Sequence, residues 1–241
     1  MPKIVRPSKQ IYKNYTQEDF EVWKILYNRQ IINLNGIVAN EFLESLKKIN
    51  FSANTIPNFK QINKILNRAT GWKIKTVPNI AEAKEFFRCL SKKEFTTTCW
   101  LRSRSEIDYL EEPDMFHDVF AHIPLLINKN YSKFFHKIGQ IGLSVIDDDE
   151  KLKKLQRLYW FTIEFGLMKS GSDFKIYGAG IISSKGESKN AMKSSSNKKK
   201  YDVKKIMNHP FRTDKIQDTY YVIESFEQLI NSIKEIKKEL I

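Results

Sequence analysis

Two of the chain's four histidines, His117 and His122, lie five residues apart in EPDMFHDVFAHIPLL, residues 112–126. Imidazole nitrogens are common metal ligands. On a regular helix, however, residues five apart point about 140° away from each other, which is a poor angle for binding one ion. Pro124 disfavours helix at Ile123, so we expect His122 to lie at or beyond a helix end, where its ring can turn back. Taken alone, the pair favours two core histidines, each hydrogen-bonded to backbone.

A carboxylate in a second segment changes this interpretation. Glu164 is the only acid in LQRLYWFTIEFGLM, residues 155–168. A lone buried carboxylate costs several kcal/mol unless it is neutralised or paired. No Lys or Arg lies at helical contact spacing, because those positions hold Trp160, Phe161, Leu167 and Met168. Two histidines and one carboxylate suit a non-heme Fe(II) oxygenase or a catalytic zinc site, and the residue types do not choose between them.

The composition indicates a globular protein that functions in a reducing compartment. Of 241 residues, 41% are hydrophobic and 12% aromatic. There is no apolar run of about 18 residues that would predict a membrane span, and the first residues do not resemble a signal peptide. Cys89 and Cys99 show no metal-type or secreted pairing pattern. We therefore expect a cytoplasmic protein with no membrane partner.

The net charge of +13 raises the alternative of a nucleic-acid partner. Most of the 41 basic residues are Lys, spread along the chain, whereas Arg is the preferred reader of base edges. The densest cluster, the Ser/Lys-rich segment 183–200, reads as a solvated loop. We expect no nucleic-acid partner.

The pattern of the chain predicts one α+β domain, mainly helical with a few short strands, over residues 16–241 after an extended N-terminal arm, 1–15. Thr16 and Asp19 resemble a capping box that starts a helix reaching Gly36, and Asp114 is a possible cap for a helix near Met115. Further helices are predicted at 40–50, 59–70, 81–90, 131–145, about 151–169, 201–208 and 225–240. Strands are predicted at 72–78, 95–102, 174–177 before a glycine-rich turn, and 218–223.

Five blocks of the sequence match a known family in order and spacing. They are TGWKIKTVP, WLRSRSEIDYLEEPDMFHDVFAHIPLL, LYWFTIEFGL, YGAGIISSKGE and YYVIESFEQL. On these blocks the chain resembles the pterin-dependent aromatic amino acid hydroxylases, and among them the bacterial phenylalanine 4-hydroxylases. The resemblance covers nearly the whole chain and implies a single hydroxylase-like catalytic domain.

The resemblance implies a role for each matching residue. His117, His122 and Glu164 match the iron ligands, while Arg102 matches the arginine that binds the amino acid's carboxylate. The remaining implied roles are Asp114 as the acidic partner of that arginine, Ser183 as the hydrogen-bond partner of the first histidine, Pro113 and Trp160 as walls of the substrate-ring pocket, Phe86 as the aromatic that stacks on the pterin, and Asp118 and Tyr159 as residues facing the cofactor. No side chain is implied as nucleophile or base.

Some positions depart from the family pattern. Ala121 replaces the usual Gly before the second histidine, which a helical backbone tolerates and a positive φ does not. Lys185 replaces an aromatic or small residue after the double serine. Thr213 lacks the charge that tyrosine-hydroxylating relatives carry at this position, and Trp160 is Phe in tryptophan hydroxylases. Both favour phenylalanine as the substrate.

The resemblance implies that L-phenylalanine, O₂ and a tetrahydropterin give L-tyrosine and a 4a-hydroxypterin at an Fe(II) centre. Two alternatives stay open: a tryptophan or tyrosine hydroxylase of the same family, and a basic nucleic-acid-binding protein that kept the fold and lost the activity. The sequence identifies neither the native pterin, whether tetrahydrobiopterin or a relative, nor a role in tyrosine synthesis or phenylalanine catabolism. We expect a bare catalytic domain that is monomeric.

Overall fold

The computed structural model describes residues 6–108, 110 and 112–241. Helices dominate these residues, and the strands are short. The α-helices are α1 (Gln17–Leu34), α2 (Asn40–Ile49), α3 (Phe59–Thr70), α4 (Ala83–Ser91), α5 (Lys129–Ser144), α6 (Asp149–Tyr159), α7 (Ala179–Ser183), α8 (Lys185–Ala191), α9 (Val203–Met207), α10 (Phe226–Asn231) and α11 (Ile233–Leu240). Two π-helical segments, Phe116–His122 and Trp160–Glu164, and three 3₁₀ turns, Tyr12–Asn14, Arg104–Glu106 and Pro124–Ile127, complete the helical elements.

Two small sheets accompany the helices. Their strands are β1 (Lys73–Thr76), β2 (Glu94–Thr97), β3 (Gly166–Ser170), β4 (Asp173–Ile176), β5 (Asn197–Lys200) and β6 (Thr219–Ile223). β1 and β2 pair in parallel, and the second sheet has the order β4-β3-β6-β5. In it β3 runs antiparallel to β4 and parallel to β6, while β5 is a parallel edge strand. The mainly helical α+β prediction is confirmed.

The helix starts follow the capping chemistry of the sequence. At α1, Thr16 and Asp19 form the predicted capping box, with Asp19 N–H donating to the Thr16 hydroxyl. Asn58 and Asn128 cap α3 and α5 through their side-chain oxygens. These bonds satisfy backbone N–H groups that have no partner inside the helix.

Two glycines bring α4 against α5. A Cβ atom at Gly139 would lie 2.4 Å from the Leu90 carbonyl carbon, and one at Gly142 would lie 2.6 Å from the Phe87 ring. No other residue fits at either position without moving α4. This close packing places Phe86, on α4, beside the end of α6 that leads to the predicted ligand Glu164.

The helix predicted over about 151–169 is wrong at its C-terminal end. α6 ends at Tyr159, a π-helical turn follows, and the chain becomes β3 at Gly166. Leu167 and Met168 lie in the sheet, paired with β4 and β6. A short apolar run does not distinguish a buried strand from a buried helix, which is why the pattern was misleading.

The interpretation of 183–200 as a solvated loop is also wrong. Ser184 caps α8, which buries Glu187 and Ala191, and Asn197–Lys200 pairs with β6 as β5. Lysines on an edge strand are compatible with pairing on one side only, so the basic composition did not exclude a strand. A smaller difference is that the last predicted helix is broken at Ser232 into α10 and α11.

The described part of the N-terminal arm, residues 6–15, is mostly irregular but contains the 3₁₀ turn. Its tyrosines contact the body of the protein: the Tyr12 hydroxyl donates to the Ile56 carbonyl, and the Tyr15 hydroxyl donates to the Cys99 carbonyl. The division into an arm and a domain stays a prediction. Among the residues described, no helix combines the length and apolarity that crossing a membrane requires.

Candidate metal centre and active site

The first histidine segment is a π-helix, and this explains the five-residue spacing. Phe116–His122 is π-helical, and Ile123 continues with helical φ and ψ of −63° and −40°. A π-helix bonds residue i to residue i+5, so side chains five apart lie on one face. His122 is the last residue of this helix, so its predicted place at a helix end is confirmed, although the helix is a π-helix and not the regular α-helix that the pattern assumes. Pro124 is tolerated because it opens the next 3₁₀ turn, where its missing N–H is not needed.

The third ligand candidate lies on the second π-helix. Trp160–Glu164 extends α6, and Glu164 is its last residue. Phe165 then leaves the helical conformation with φ −125° and ψ 32°, and the chain enters β3. The carboxylate is therefore held between a helix end and a sheet, which are both rigid elements.

The two histidines and the glutamate converge. Nε2 of His117 and Nε2 of His122 are 3.2 Å apart. Nε2 of His122 lies 3.1 Å from Glu164 Oε1, and Nε2 of His117 lies 3.6 Å from Glu164 Oε2. The candidate ligand atoms all lie within 4.8 Å of one another. The structure therefore brings together the three residues that were predicted to bind the metal.

The pKa values favour the protonation states that bind a cation. Burial lowers the pKa of His117 to about 4, so its imidazole is neutral at pH 7. Burial alone would raise the pKa of Glu164, but His122, His117 and the Tyr159 hydroxyl outweigh it and lower the pKa to about 2. Metal ligands must be deprotonated. Two imidazole nitrogens and one carboxylate, with ligand atoms within 4.8 Å of one another, therefore fit a divalent first-row metal ion.

Ser183 fixes the orientation of His117. The Ser183 hydroxyl donates to the Ala179 carbonyl at 3.0 Å, and its oxygen lies 2.8 Å from Nδ1 of His117. Because the only hydroxyl proton is already used, Nδ1–H of His117 must donate to Ser183. The free lone pair is then on Nε2, which faces His122 and Glu164.

The glycines of YGAG allow the backbone to approach the Glu164 segment. A Cβ atom at Gly178 would lie 2.4 Å from the Glu164 carbonyl oxygen and 2.5 Å from Gly166 N. One at Gly180 would lie 2.6 Å from the Phe165 ring. Gly178 has φ −69°, so close packing rather than left-handed backbone explains the requirement for glycine here.

Ala121 does not distort the centre. It lies within the π-helix and is 1% exposed. The described non-glycine residues with positive φ are Asn50 and Lys93. The helical backbone at Ala121 therefore accepts a methyl group, and the departure from the family pattern is compatible with a correctly placed His122.

Arg102 and Asp114 form a buried bidentate pair. Arg102 donates from Nε and Nη2 to the two Asp114 oxygens, both at 2.9 Å, and Asp114 is fully buried. Asp114 also accepts from the backbone N–H groups of Arg102, Phe116 and His117. Asp114 therefore caps the ligand-bearing helix, as predicted, and holds the guanidinium at the same time.

Trp160 lies four residues before Glu164 and is half-buried. Its indole contacts two phenylalanine rings: Phe211, stacked at 4.3 Å between centroids and 14° between planes, and Phe165, at 4.5 Å and 37°. Pro113, the other predicted wall residue, is half-buried beside Asp114. These positions are compatible with an aromatic-lined pocket.

Two of the predicted pterin-facing residues, Phe86 and Tyr159, contact each other near His122. The Phe86 and Tyr159 rings meet edge to face at 5.2 Å. Phe95 lies 6.2 Å from Phe86 and 4.8 Å from the His122 ring, so it connects this pair to the ligands. The residues thus form a continuous aromatic surface next to the candidate metal centre.

Asp118 contacts Thr98, the residue that follows β2. Its carboxylate accepts from the Thr98 N–H at 2.7 Å and from the Thr98 hydroxyl at 2.9 Å. Burial raises the pKa of Asp118 to about 7, against the lowering effect of these bonds. A carboxyl that is partly protonated near pH 7 can donate as well as accept a hydrogen bond.

Several residues near the site had not been predicted. Phe95 lies against His122, while Phe211, Gln217 and Glu187 surround Trp160 or support its partners. Glu187 ends the family-matching block YGAGIISSKGE, and that match could have marked it as a residue near the site. Gln217 is one polar residue in a polar stretch, and nothing in its sequence context marks it as buried.

Comparison with known proteins identifies the family of the chain. Residues 6–241 match the family described as biopterin-dependent aromatic amino acid hydroxylase. The chain belongs to this family. It is 43% identical over 221 residues to a phenylalanine-4-hydroxylase of Ralstonia nicotianae, covering 91% of this chain and 70% of the relative. With the enzyme of Chromobacterium violaceum it shares 42% identity over 219 residues, covering 90% and 73%.

A solved structure within the hydroxylase family has the same fold. The Chromobacterium violaceum phenylalanine hydroxylase with bound iron(III) and oxidised cofactor 7,8-dihydrobiopterin superposes with a TM-score of 0.90 at 40% identity. The match covers 98% of this chain and 86% of that one. The two π-helices, the buried ion pair and the aromatic surface described above therefore belong to a hydroxylase catalytic domain.

Proposed function

We propose that this chain is a phenylalanine 4-monooxygenase that converts L-phenylalanine, O₂ and a tetrahydropterin into L-tyrosine and a 4a-hydroxypterin. One oxygen atom of O₂ enters tyrosine and the other enters the pterin. The convergence of His117, His122 and Glu164 in a chain about 40% identical to phenylalanine-4-hydroxylases carries this conclusion. A protein that kept only the fold would not need three converging candidate ligands.

His117, His122 and Glu164 would hold Fe(II) on one side and leave the opposite side free for other ligands. When bound, the iron and the tetrahydropterin supply the electrons that activate O₂. The protein need provide no nucleophile, so its contribution is to position the reactants. Ser183 contributes by holding the His117 ring with Nε2 toward the metal position.

Arg102 would bind the amino acid carboxylate. Its Nε and Nη2 are held by Asp114, and among the described residues Nη1 has no hydrogen-bond partner. The guanidinium is therefore oriented before substrate binds, with its remaining N–H groups available for a carboxylate. Trp160 and Pro113 would hold the phenyl ring, while Phe86, Tyr159 and Asp118 would contact the pterin.

The reaction is tested by product analysis under ¹⁸O₂. The purified protein with Fe(II), a tetrahydropterin and L-phenylalanine is expected to form tyrosine whose phenolic oxygen is ¹⁸O, and omission of iron or pterin is expected to stop it. Adding equal L-phenylalanine, L-tyrosine and L-tryptophan tests selectivity, with tyrosine as the main product expected. Hydroxytryptophan or dihydroxyphenylalanine as the main product would assign the chain to a sister activity.

Three expectations stay predictions: a monomer, a cytoplasmic location and no nucleic-acid partner. The absence of a nucleic-acid partner is best tested at α3. There Lys60, Lys64 and Arg68 are spaced four residues apart and line two neighbouring surface clefts. We expect no change in the fluorescence anisotropy of labelled DNA or RNA at about 0.15 M salt. Tight, salt-dependent binding would contradict this expectation.

A further inference from the structure

The side chain of Gln217 is buried against the N–H edge of the Trp160 indole. Gln217 is 7% exposed and lies two residues before β6, in the irregular segment that follows Phe211. Its Oε1 accepts from the Trp160 indole N–H at 2.9 Å. Its Nε2 donates to the carbonyls of Arg212 and Lys215, at 2.9 and 3.0 Å. Each polar atom of the side chain is therefore bonded.

The chemistry of the partners fixes the orientation of this amide. The Arg212 and Lys215 carbonyls only accept hydrogen bonds, and the Trp160 indole N–H only donates. A flipped amide would place N–H against N–H at Trp160 and oxygen against oxygen at both carbonyls. The Gln217 oxygen must therefore point at the indole, which defines where the edge of the Trp160 ring lies.

The same bonds also set the position of the ring that stacks on Trp160. By closing on Arg212 and Lys215, the Gln217 side chain folds the 211–217 segment back on itself. Phe211 begins this segment and stacks on Trp160 at 4.3 Å. The Gln217 side chain thus restrains the indole directly at its N–H and indirectly at its face, through Phe211.

The backbone of Gln217 is held from the opposite side by α8. Its N–H donates to Glu187 Oε1 at 2.9 Å, and its carbonyl accepts from Asn190 Nδ2 at 2.8 Å. The Tyr220 hydroxyl donates to the second Glu187 oxygen at 2.8 Å. Ser183, the support of His117, is the last residue of α7, and α8 begins after Ser184, so the supports of Trp160 and His117 lie on consecutive helices.

We propose that Gln217 is a positioning residue for the substrate ring: it orients Trp160 and thereby affects the binding of the amino acid. This proposal rests on the proposed function, in which Trp160 is a wall of the pocket. Gln217 itself touches neither substrate nor cofactor. Losing its bond should leave Trp160 free to rotate, which weakens the hold on a phenyl ring without changing the metal ligands or the pterin surface.

The test compares Gln217→Met with Trp160→Phe and the double variant. Methionine has a similar shape and makes no comparable hydrogen bond, while Phe at 160 keeps a ring and removes the N–H donor. One neutral hydrogen bond corresponds to about a two- to tenfold effect. We expect KM for L-phenylalanine to rise about two- to tenfold in Gln217→Met, with kcat and KM for the pterin nearly unchanged. The double variant should be no worse than Trp160→Phe.

Asn190→Ala is the matched control, because it removes a bond to the Gln217 backbone and leaves the Trp160 bond in place. It should lower thermal stability without raising KM for L-phenylalanine. If Asn190→Ala raises this KM as much as Gln217→Met, or if the effects of Gln217→Met and Trp160→Phe add fully, Gln217 is merely structural and the proposal is wrong.

A second measurement does not depend on activity. With ¹⁵N-labelled indole groups, the Trp160 N–H resonance is assigned by its loss in Trp160→Phe. In Gln217→Met we expect this resonance to shift and its exchange with water to accelerate, while Asn190→Ala preserves it. An unchanged resonance would contradict the proposal. If the wild type makes no tyrosine yet the resonance behaves as expected, the proposed function fails and the Gln217–Trp160 bond stands.

Discussion

The Ser183 oxygen lies 2.8 Å from Nδ1 of His117, and the Ser183 proton is already donated to the Ala179 carbonyl. The pair therefore fixes His117 as the Nδ1–H tautomer. His122 differs, because its buried Nδ1 has no hydrogen-bond partner among the described residues. Of the two candidate histidine ligands, only His117 is thus held in its metal-binding form by a neighbouring side chain.

Replacement of Ser183 should weaken iron binding. In Ser183→Ala, Nδ1–H of His117 loses its acceptor, and we expect the Fe(II) affinity to fall about 10- to 100-fold. Anaerobic Fe(II) titration measures this directly. Ser184→Ala is the control: it removes the cap of α8 and should reduce stability by about 1 kcal/mol with iron affinity unchanged. Equal iron affinity in Ser183→Ala and wild type would contradict the role of Ser183.

A methyl group at position 178 should disturb Glu164. In Gly178→Ala the Cβ atom meets the Glu164 carbonyl oxygen and Gly166 N, so the backbone must shift. We expect a loss of about 1–3 kcal/mol in the free energy of unfolding of the apoprotein, with weaker iron binding. In the control Gly186→Ala, the nearest atom is the end of the exposed Ile216 side chain at 3.3 Å. A Gly178→Ala protein as stable as Gly186→Ala would refute the close-packing explanation.

The geometry of Arg102 should matter more than its charge. Arg102→Lys keeps the charge and loses the bidentate fork, so we expect KM for L-phenylalanine to rise about 10- to 100-fold. Arg104→Lys is the control, because Arg104 pairs with Glu21 at the exposed surface. KM for L-phenylalanine should be unchanged there. A similar small change in both variants would mean that Arg102 does not bind the substrate.

Glu187 should give a pH dependence of stability opposite to that of most carboxylates. Burial raises the pKa of Glu187 above its ordinary value of 4.5. The folded chain therefore keeps this proton to a higher pH than the unfolded chain, and the contribution of Glu187 to stability falls as pH rises from 4.5 through the raised pKa. We expect the free energy of unfolding of wild type, relative to Glu187→Gln, to decrease over this window in urea titrations.

Glu85 provides the comparison for this measurement. Its hydrogen bond with Lys75 lowers the pKa of Glu85, so its stabilising contribution is present above 4.5 and is lost as pH falls below it. The free energy of unfolding of wild type, relative to that of Glu85→Gln, should therefore increase as pH rises. If the free energy of unfolding of wild type increases relative to that of Glu187→Gln as pH rises, the pKa of Glu187 is not raised in the folded chain.

The metal ligands could be predicted from residue types, but their arrangement could not. Glu164, alone among apolar residues without a nearby cation, required a partner, and the two histidines supplied it. The five-residue spacing became intelligible only with the π-helix, because the sequence pattern assumes 3.6 residues per turn. The implied roles of Arg102, Asp114 and Ser183 came from the resemblance. The structure contains the Arg102–Asp114 pair and the Ser183–His117 hydrogen bond, and the substrate-binding role of Arg102 stays a prediction.

The errors in the fold have a common physical cause. At 166–170 and 197–200 the chain forms strands because β6, which lies more than 15 residues away in sequence, pairs with both of them. Local composition does not contain that information. Gln217 illustrates the same limit for the site, since its burial depends on α8 and on Trp160, which lie elsewhere in the sequence. Helix starts such as Thr16, whose caps are local, were predicted correctly.

The most direct test of the central claim measures bound iron and tyrosine formation in the same samples of wild type, Glu164→Ala and His136→Gln. His136 bonds the Ser91 carbonyl and lies outside the cluster that could hold a metal. We expect one Fe(II) per chain and tyrosine formation in wild type and His136→Gln, and the loss of both in Glu164→Ala. Full iron binding and tyrosine formation in Glu164→Ala would contradict the claim that His117, His122 and Glu164 form the catalytic iron site.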